Sequence, residues 1–179
     1  MLFRSTHQAL LIVDAVTSLG GIPIEVDRWG IDVCYSATQK CLSCPPGLAP
    51  LTLSPQALSI LKGRRTPCQS WYLDMGLVAD YWAEGSRAYH HTAPISMLYA
   101  LRESLRLIEL EGLPARFARH RLNSDALAAG LMELDLTPLP EAGHRLPMLS
   151  CVTVPPHIDE GAVRQQLLDR KSTRLNSSH

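Results

Sequence analysis

Gly30-Ile-Asp-Val-Cys-Tyr-Ser36 runs without interruption into Ala37-Thr-Gln-Lys40. The first part is a short apolar run with a β-branched and an aromatic residue, which fits a strand. Lys40 follows directly at its C-terminal end. Upstream, Ala9-Leu-Leu-Ile-Val-Asp14 is a similar run closed by a carboxylate. A continuous apolar run of this length fits a strand buried on both faces, as in a parallel sheet. Ligand sites in such sheets form beyond the carboxyl ends of the strands. Asp14 and Lys40 are therefore placed to reach one ligand.

Outward from this pair the punctuation is clear. Leu19-Gly-Gly21 breaks the pattern, and Ile22-Pro-Ile-Glu-Val26 reads as a brief extended stretch. Pro45-Pro-Gly47 forces a turn before a third strand, Leu48 to Leu53. Ser54-Pro55 starts a helix, with a hydroxyl N-cap and proline at the first helical position, and the helix should end near Gly63. The aromatic-rich segment from Arg64 to Tyr89 yields no assignment. Pro94 opens an amphipathic helix with Ile95, Leu98, Leu101 or Arg102, Leu105 and Ile108 on one stripe. Gly112 interrupts it. Pro114 begins a second long helix, with Phe117, Leu127, Leu131 and Leu134 as expected buried positions. Leu146 to Val154 reads as a strand, ended by Pro155-Pro156, and Asp159 caps a last helix through Leu168. The sum is an α/β or α+β chain without internal repeats, with a domain boundary near Glu111 to Pro114. Asp169 to His179 has no apolar period and reads as a translated sequencing adapter, to be set apart from fold reasoning.

Composition narrows the function classes. The chain has 179 residues, 46% hydrophobic and 19% charged, with 17 basic and 17 acidic side chains and zero formal charge. That is a globular composition without the field that attracts nucleic acid or an anionic membrane surface. Its apolar runs are too short to span a bilayer. Five cysteines without a framework fit reduced thiols in an intracellular protein. Cys41 and Cys44 form a C-x-x-C, but a structural zinc site wants a second pair at similar spacing, so no metal is expected.

A carboxylate and a lysine at neighbouring strand ends are what pyridoxal 5′-phosphate (PLP) chemistry requires. The lysine holds the aldehyde as a Schiff base, and the carboxylate keeps the pyridine nitrogen protonated. By spacing alone, a cap aspartate and a solvated surface lysine are the ordinary reading of the pair. The surrounding residues carry more. Val13-Asp-Ala-Val-Thr-Ser-Leu-Gly-Gly-Ile-Pro-Ile-Glu-Val-Asp27 and Gly30-Ile-Asp-Val-Cys-Tyr-Ser-Ala-Thr-Gln-Lys-Cys-Leu-Ser-Cys-Pro-Pro-Gly47 resemble the cofactor segment of class V aminotransferases, in the alanine–glyoxylate and serine–pyruvate branch. Tyr89-His-His-Thr92, then Pro94 and Leu98-Tyr-Ala-Leu-Arg-Glu-Ser104, is a third match. Gly112-Leu-Pro with Arg119-His-Arg121 is a weaker fourth.

The resemblance spans about Leu10 to Leu168 and implies the PLP-dependent transferase fold type I. Residues 1–112 would be the later part of the large domain. Residues 113–168 would be the linking helix and the start of the small α+β domain, with 169–179 the adapter-like tail. The implied reaction transfers an amino group from alanine or serine to glyoxylate or pyruvate. By the same resemblance, Lys40 is the Schiff-base lysine and Asp14 the partner of the pyridine nitrogen. Val16 packs on the ring, Gln39 contacts the phosphate, and Ser36 supports the region. Tyr89 and Thr92 reach the phosphate of a neighbouring subunit's cofactor, which makes a homodimer. The residues themselves also permit a core tyrosine at Tyr89, a helix N-cap at Thr92, core or dimer-contact roles for Trp71 and Tyr72, and a His90-His91 pair pointing apart.

The family's phosphate-binding loop, ring-stacking aromatic and substrate-carboxylate arginine have no counterparts here, and Arg87, Arg102 and Arg145 do not match that arginine. The polypeptide as written is accordingly expected to be a fragment without appreciable transaminase activity of its own. A fold type I lyase or desulfurase is the alternative, disfavoured by Gln39 where a histidine usually precedes the lysine. A non-catalytic truncated remnant is the other. The compartment, cytoplasmic or peroxisomal, is left open, because S-K-L signals sit at a natural C-terminus.

Overall fold

The computed structural model describes residues 6–7, 9–82, 85 and 89–169. Most of the adapter-like tail and Arg87 lie outside the described residues. The chain divides into two compact units, Met1–Ala118 and Arg119–His179.

The first unit is built on a small mixed sheet. β1 (Ile12–Asp14), β2 (Val33–Tyr35) and β3 (Leu51–Leu53) lie in the order β1-β2-β3. β1 pairs parallel to β2, with Asp14 opposite Tyr35. β3 pairs antiparallel to β2, with Leu51 opposite Tyr35. Side chains alternate across a strand. One face therefore presents Ile12, Asp14, Tyr35 and Leu51, all exposed. On the other side, Cys34 joins Ala15 and Ile31 in the core, with Leu11, Val13, Leu19, Ile24 and Val26 packed against them. The expectation of strands buried on both faces is thus corrected: Ile12 is 61% exposed. Ile22–Val26 adds no strand; only a bridge between Leu19 and Ile22 forms there.

Asp32 ties the sheet to the first helix. It is buried, and its carboxylate accepts the Leu11 amide and the Ser54 hydroxyl, each at 2.9 Å. Ser54 in turn accepts the Ala57 amide at 3.0 Å, capping α1 (Pro55–Lys62) as its sequence predicts. The unassigned aromatic segment contains α2 (Met75–Trp82), begun by Asp74 Oδ1 accepting the Gly76 amide at 2.9 Å.

α3 (Ile95–Glu111) ends at Gly112, as expected. Ile108 is buried as expected, and Ser104 is buried with it, whereas Ile95, Leu98 and Leu105 of the expected stripe are exposed, so the buried stripe is shifted towards Ser104. α4 (Leu113–Met132) contains the division between the units. Its buried residue is Arg116; Leu127 and Leu134, expected in the core, are exposed.

In the second unit, β4 (Thr137–Pro138) pairs antiparallel with β5 (Val152–Thr153). The strand expected over Leu146–Val154 is shortened to its last part, with only a bridge between Leu146 and Leu149 before it. α5 (Glu160–Asp169) starts at Asp159, whose carboxylate accepts the Ala162 amide at 3.1 Å.

Candidate active site

Asp14 ends β1 on the exposed face of the sheet. Its Oδ1 accepts the Val16 amide at 2.8 Å, and its Oδ2 accepts the Tyr35 hydroxyl at 3.0 Å. The parallel register creates the second bond by setting Tyr35 opposite Asp14. That hydrogen bond raises the Tyr35 pKa, because losing the phenol proton would break it; desolvation and the Asp14 charge push the same way. Burial, and then the same charge, raise the Cys34 thiol.

Lys40 lies on the turn that follows β2, and hydrogen bonds fix that turn at several points. Ser36 is buried; its hydroxyl donates to Ala15 O at 2.9 Å and its amide to Pro50 O at 2.9 Å. Thr38 is fully buried, its hydroxyl donating to Pro45 O at 2.7 Å. The Cys44 amide returns to Thr38 O at 3.0 Å, and the Ser43 amide to Lys40 O at 2.9 Å. Ser43 takes a left-handed backbone, φ 57°, to close the turn. Lys40 is half-buried and Gln39 exposed. Val16, half-buried, follows Asp14 on the neighbouring loop. The structure thus places Asp14, Val16, Gln39 and Lys40 on two adjacent loops at one end of the β1–β2 pair, with Ser36 stitching those loops together.

Tyr89 and Thr92 sit apart in sequence, on the segment leading into α3. Their hydroxyls bond to each other. Tyr89 is 70% exposed, which removes the core-tyrosine reading. Thr92 is not a cap: the residue before α3 is Pro94, with no side-chain cap bond. His90 is buried, and its Nε2 donates to Trp71 O at 2.9 Å while its ring stacks on Trp71 at 4.1 Å between centroids. His90 and His91 meet through their Nδ1 atoms, contrary to the expectation that they point apart, because this segment is not a regular element. Trp71 and Tyr72 are exposed, so neither is a core residue.

Two participants escape sequence reasoning. Tyr35 lies in a matched segment without an implied role, and its bond to Asp14 follows from register. Arg116 bonds to backbone carbonyls far away in sequence. Among the described residues, no cluster of three or more histidine, cysteine or acidic groups could hold a metal ion. No helix among them is long and apolar enough to cross a membrane.

Comparison with known proteins gives the family and the fold. The family model "Aminotransferase class-V" matches residues 2–176. The (S)-ureidoglycine–glyoxylate transaminase of Bacillus subtilis is 39% identical over 191 aligned residues, covering 97% of this chain and 46% of that protein. The alanine–glyoxylate aminotransferase of Oryctolagus cuniculus is 43% identical, covering 83% of this chain and 39% of that protein. The crystal structure of alanine–glyoxylate aminotransferase from Nostoc sp. superposes with a TM-score of 0.87 at 46% identity, covering 94% of this chain and 45% of that one. The chain therefore spans less than half the length of these relatives. Its fold is part of the PLP-dependent transferase fold type I, and the chain belongs to the class V aminotransferase family.

Proposed function

We propose that this protein is a PLP-dependent aminotransferase that passes an amino group from a small amino acid to glyoxylate. The observation that carries the reading is the placement of a strand-end carboxylate, Asp14, beside the turn that bears Lys40, in a class V chain. All three relatives named above are glyoxylate aminotransferases, which favours glyoxylate over pyruvate as acceptor. Their donors differ, so alanine, serine and ureidoglycine are the donors to test.

The residues fit the cofactor. Asp14 is exposed and accepts one bond on each oxygen, which leaves a carboxylate further acceptor positions for a protonated pyridine nitrogen. When bound, PLP supplies an electron sink for charge developing at the substrate Cα.

Each remaining role belongs to the chain. Lys40 Nζ would hold the cofactor through its aldehyde carbon and, once free, would move a proton at the substrate Cα, as base and then acid. Asp14 would hold the proton on the pyridine nitrogen, with Tyr35 orienting Asp14. Val16 would pack against the ring, and Gln39 would contact the phosphate. Tyr89 and Thr92, exposed and hydrogen-bonded to each other, would reach the phosphate in the partner subunit of a homodimer. Residues 1–112 then belong to the large domain, and 113–168 to the linking helix and the start of the small domain.

The test is glycine formation from glyoxylate by the full-length protein, with alanine, serine or ureidoglycine as donor. Turnover with at least one donor, abolished by Lys40→Ala, is expected. No glycine from any of them would contradict the reading.

A further inference from the structure

Arg116 is 6% exposed and is the buried residue of its helix. Its guanidinium is used on all three nitrogens. Nε donates to Gly20 O at 3.0 Å. One terminal nitrogen donates to Glu111 Oε2 at 2.8 Å. The other donates to Cys41 O and, at 3.1 Å, to the Ser43 hydroxyl.

Apart from Glu111, at the end of α3, these acceptors lie on two loops. Gly20 belongs to the loop that follows Asp14; Cys41 and Ser43 belong to the Lys40 turn. The loops are in close contact: a Cβ on Gly20 would lie 3.3 Å from Leu42 Cδ2 and 3.4 Å from Cys41 O. Gly20 also has φ 87°, a conformation that other residues rarely adopt. The Cys41 thiol adds a bond to Thr17 O at 3.2 Å, and the Ser104 hydroxyl of α3 donates to Leu42 O. Successive carbonyls beside Lys40 thus each receive a buried donor from a different helix. A planar fork with fixed donor directions can span such acceptors; an ammonium group on a flexible stem cannot hold them all.

We propose that Arg116 is a positioning residue for the transamination site. By fastening Gly20 O to Cys41 O it sets the Lys40 turn against the Asp14 loop, and so fixes the direction of Lys40 Nζ relative to the Asp14 carboxylate. Glu111 completes the arrangement by balancing the guanidinium charge and holding its plane. The inference rests on the reading of Lys40 as the cofactor lysine.

The experiment compares full-length, PLP-loaded protein with its Arg116→Lys and Arg116→Met variants. The readouts are the pH titration of the bound cofactor's visible absorbance, kcat and KM for the amino donor, and thermal unfolding. Both variants are expected to shift the pH midpoint of the titration. They should lower kcat about tenfold or more, as a small misplacement of a reacting group does, with KM changed much less. A parent-like midpoint and kcat in both variants overturns the proposal, even if thermal stability falls. If Arg116→Met does not fold, the same outcome in Arg116→Lys alone overturns it. A borohydride-fixed pyridoxyl label on the protein that survives Lys40→Ala overturns the Lys40 reading instead, and this inference with it.

Discussion

Asp14 shows how one residue is defined by partners the sequence does not name. Its position at the end of a strand is legible from the run Ala9 to Asp14. The bond from Tyr35 is not, because it depends on the parallel register that sets Asp14 opposite Tyr35. The bond favours the protonated phenol, so the Tyr35 pKa lies above its ordinary value. A group raised on folding contributes stability below its unfolded pKa and loses that contribution as pH rises through its folded pKa. Asp14→Asn removes the charge and weakens the bond, so the Tyr35 pKa should fall towards the ordinary tyrosine value. Phenolate absorbance of the PLP-free protein, titrated against a Tyr35→Phe control, reads this directly. An unchanged Tyr35 midpoint in Asp14→Asn would contradict the assigned contact.

Arg116 marks the limit of legibility at the same scale. Its acceptors are carbonyls 96 and 75 residues away, Gly20 O and Cys41 O. A backbone carbonyl is present at every position, so nothing in the residue types records the pairing. Its helix shows Phe117 and Leu131 half-buried as their pattern suggests, while the deepest side chain is the charged one.

Elements were readable where their signals are local. Ser54-Pro55, Gly112 and Asp159 each mark a helix end found in the structure. α2 was missed although Asp74 is a proper start signal, because Gly76 and the surrounding aromatics obscured the helical period. The shifted face of α3 has a tertiary cause: Ser104 is drawn inward by its bond to Leu42 O, one turn before Ile108, which is buried as its pattern suggests. Ser54 offers the sharpest test at this scale. Its hydroxyl accepts the Ala57 amide and donates to buried Asp32. Ser54→Ala should cost about 1 kcal/mol for the cap alone, and more because a buried carboxylate loses a donor. Denaturant unfolding of the full-length protein measures the loss, and a change within error of zero would contradict the double role.

For the whole molecule, the resemblance in the sequence and the fold agree across most of the chain. What the sequence did not convey is how much apolar surface these residues present by themselves. Ile12, Trp71 and Trp82 are all largely exposed, the last at 79%. The chain spans less than half of its relatives, and the site is accordingly described by the loops it supplies: Asp14 with Val16, Gln39 with Lys40, and Tyr89 with Thr92. The central claim is that these loops serve a cofactor carried by Lys40. The direct measurement is borohydride reduction of the full-length protein with PLP, followed by mass spectrometry of its peptides. The account predicts a reduced pyridoxyl label on Lys40, absent from Lys40→Ala. A label on Lys62 or another lysine, or no label at all, would contradict it.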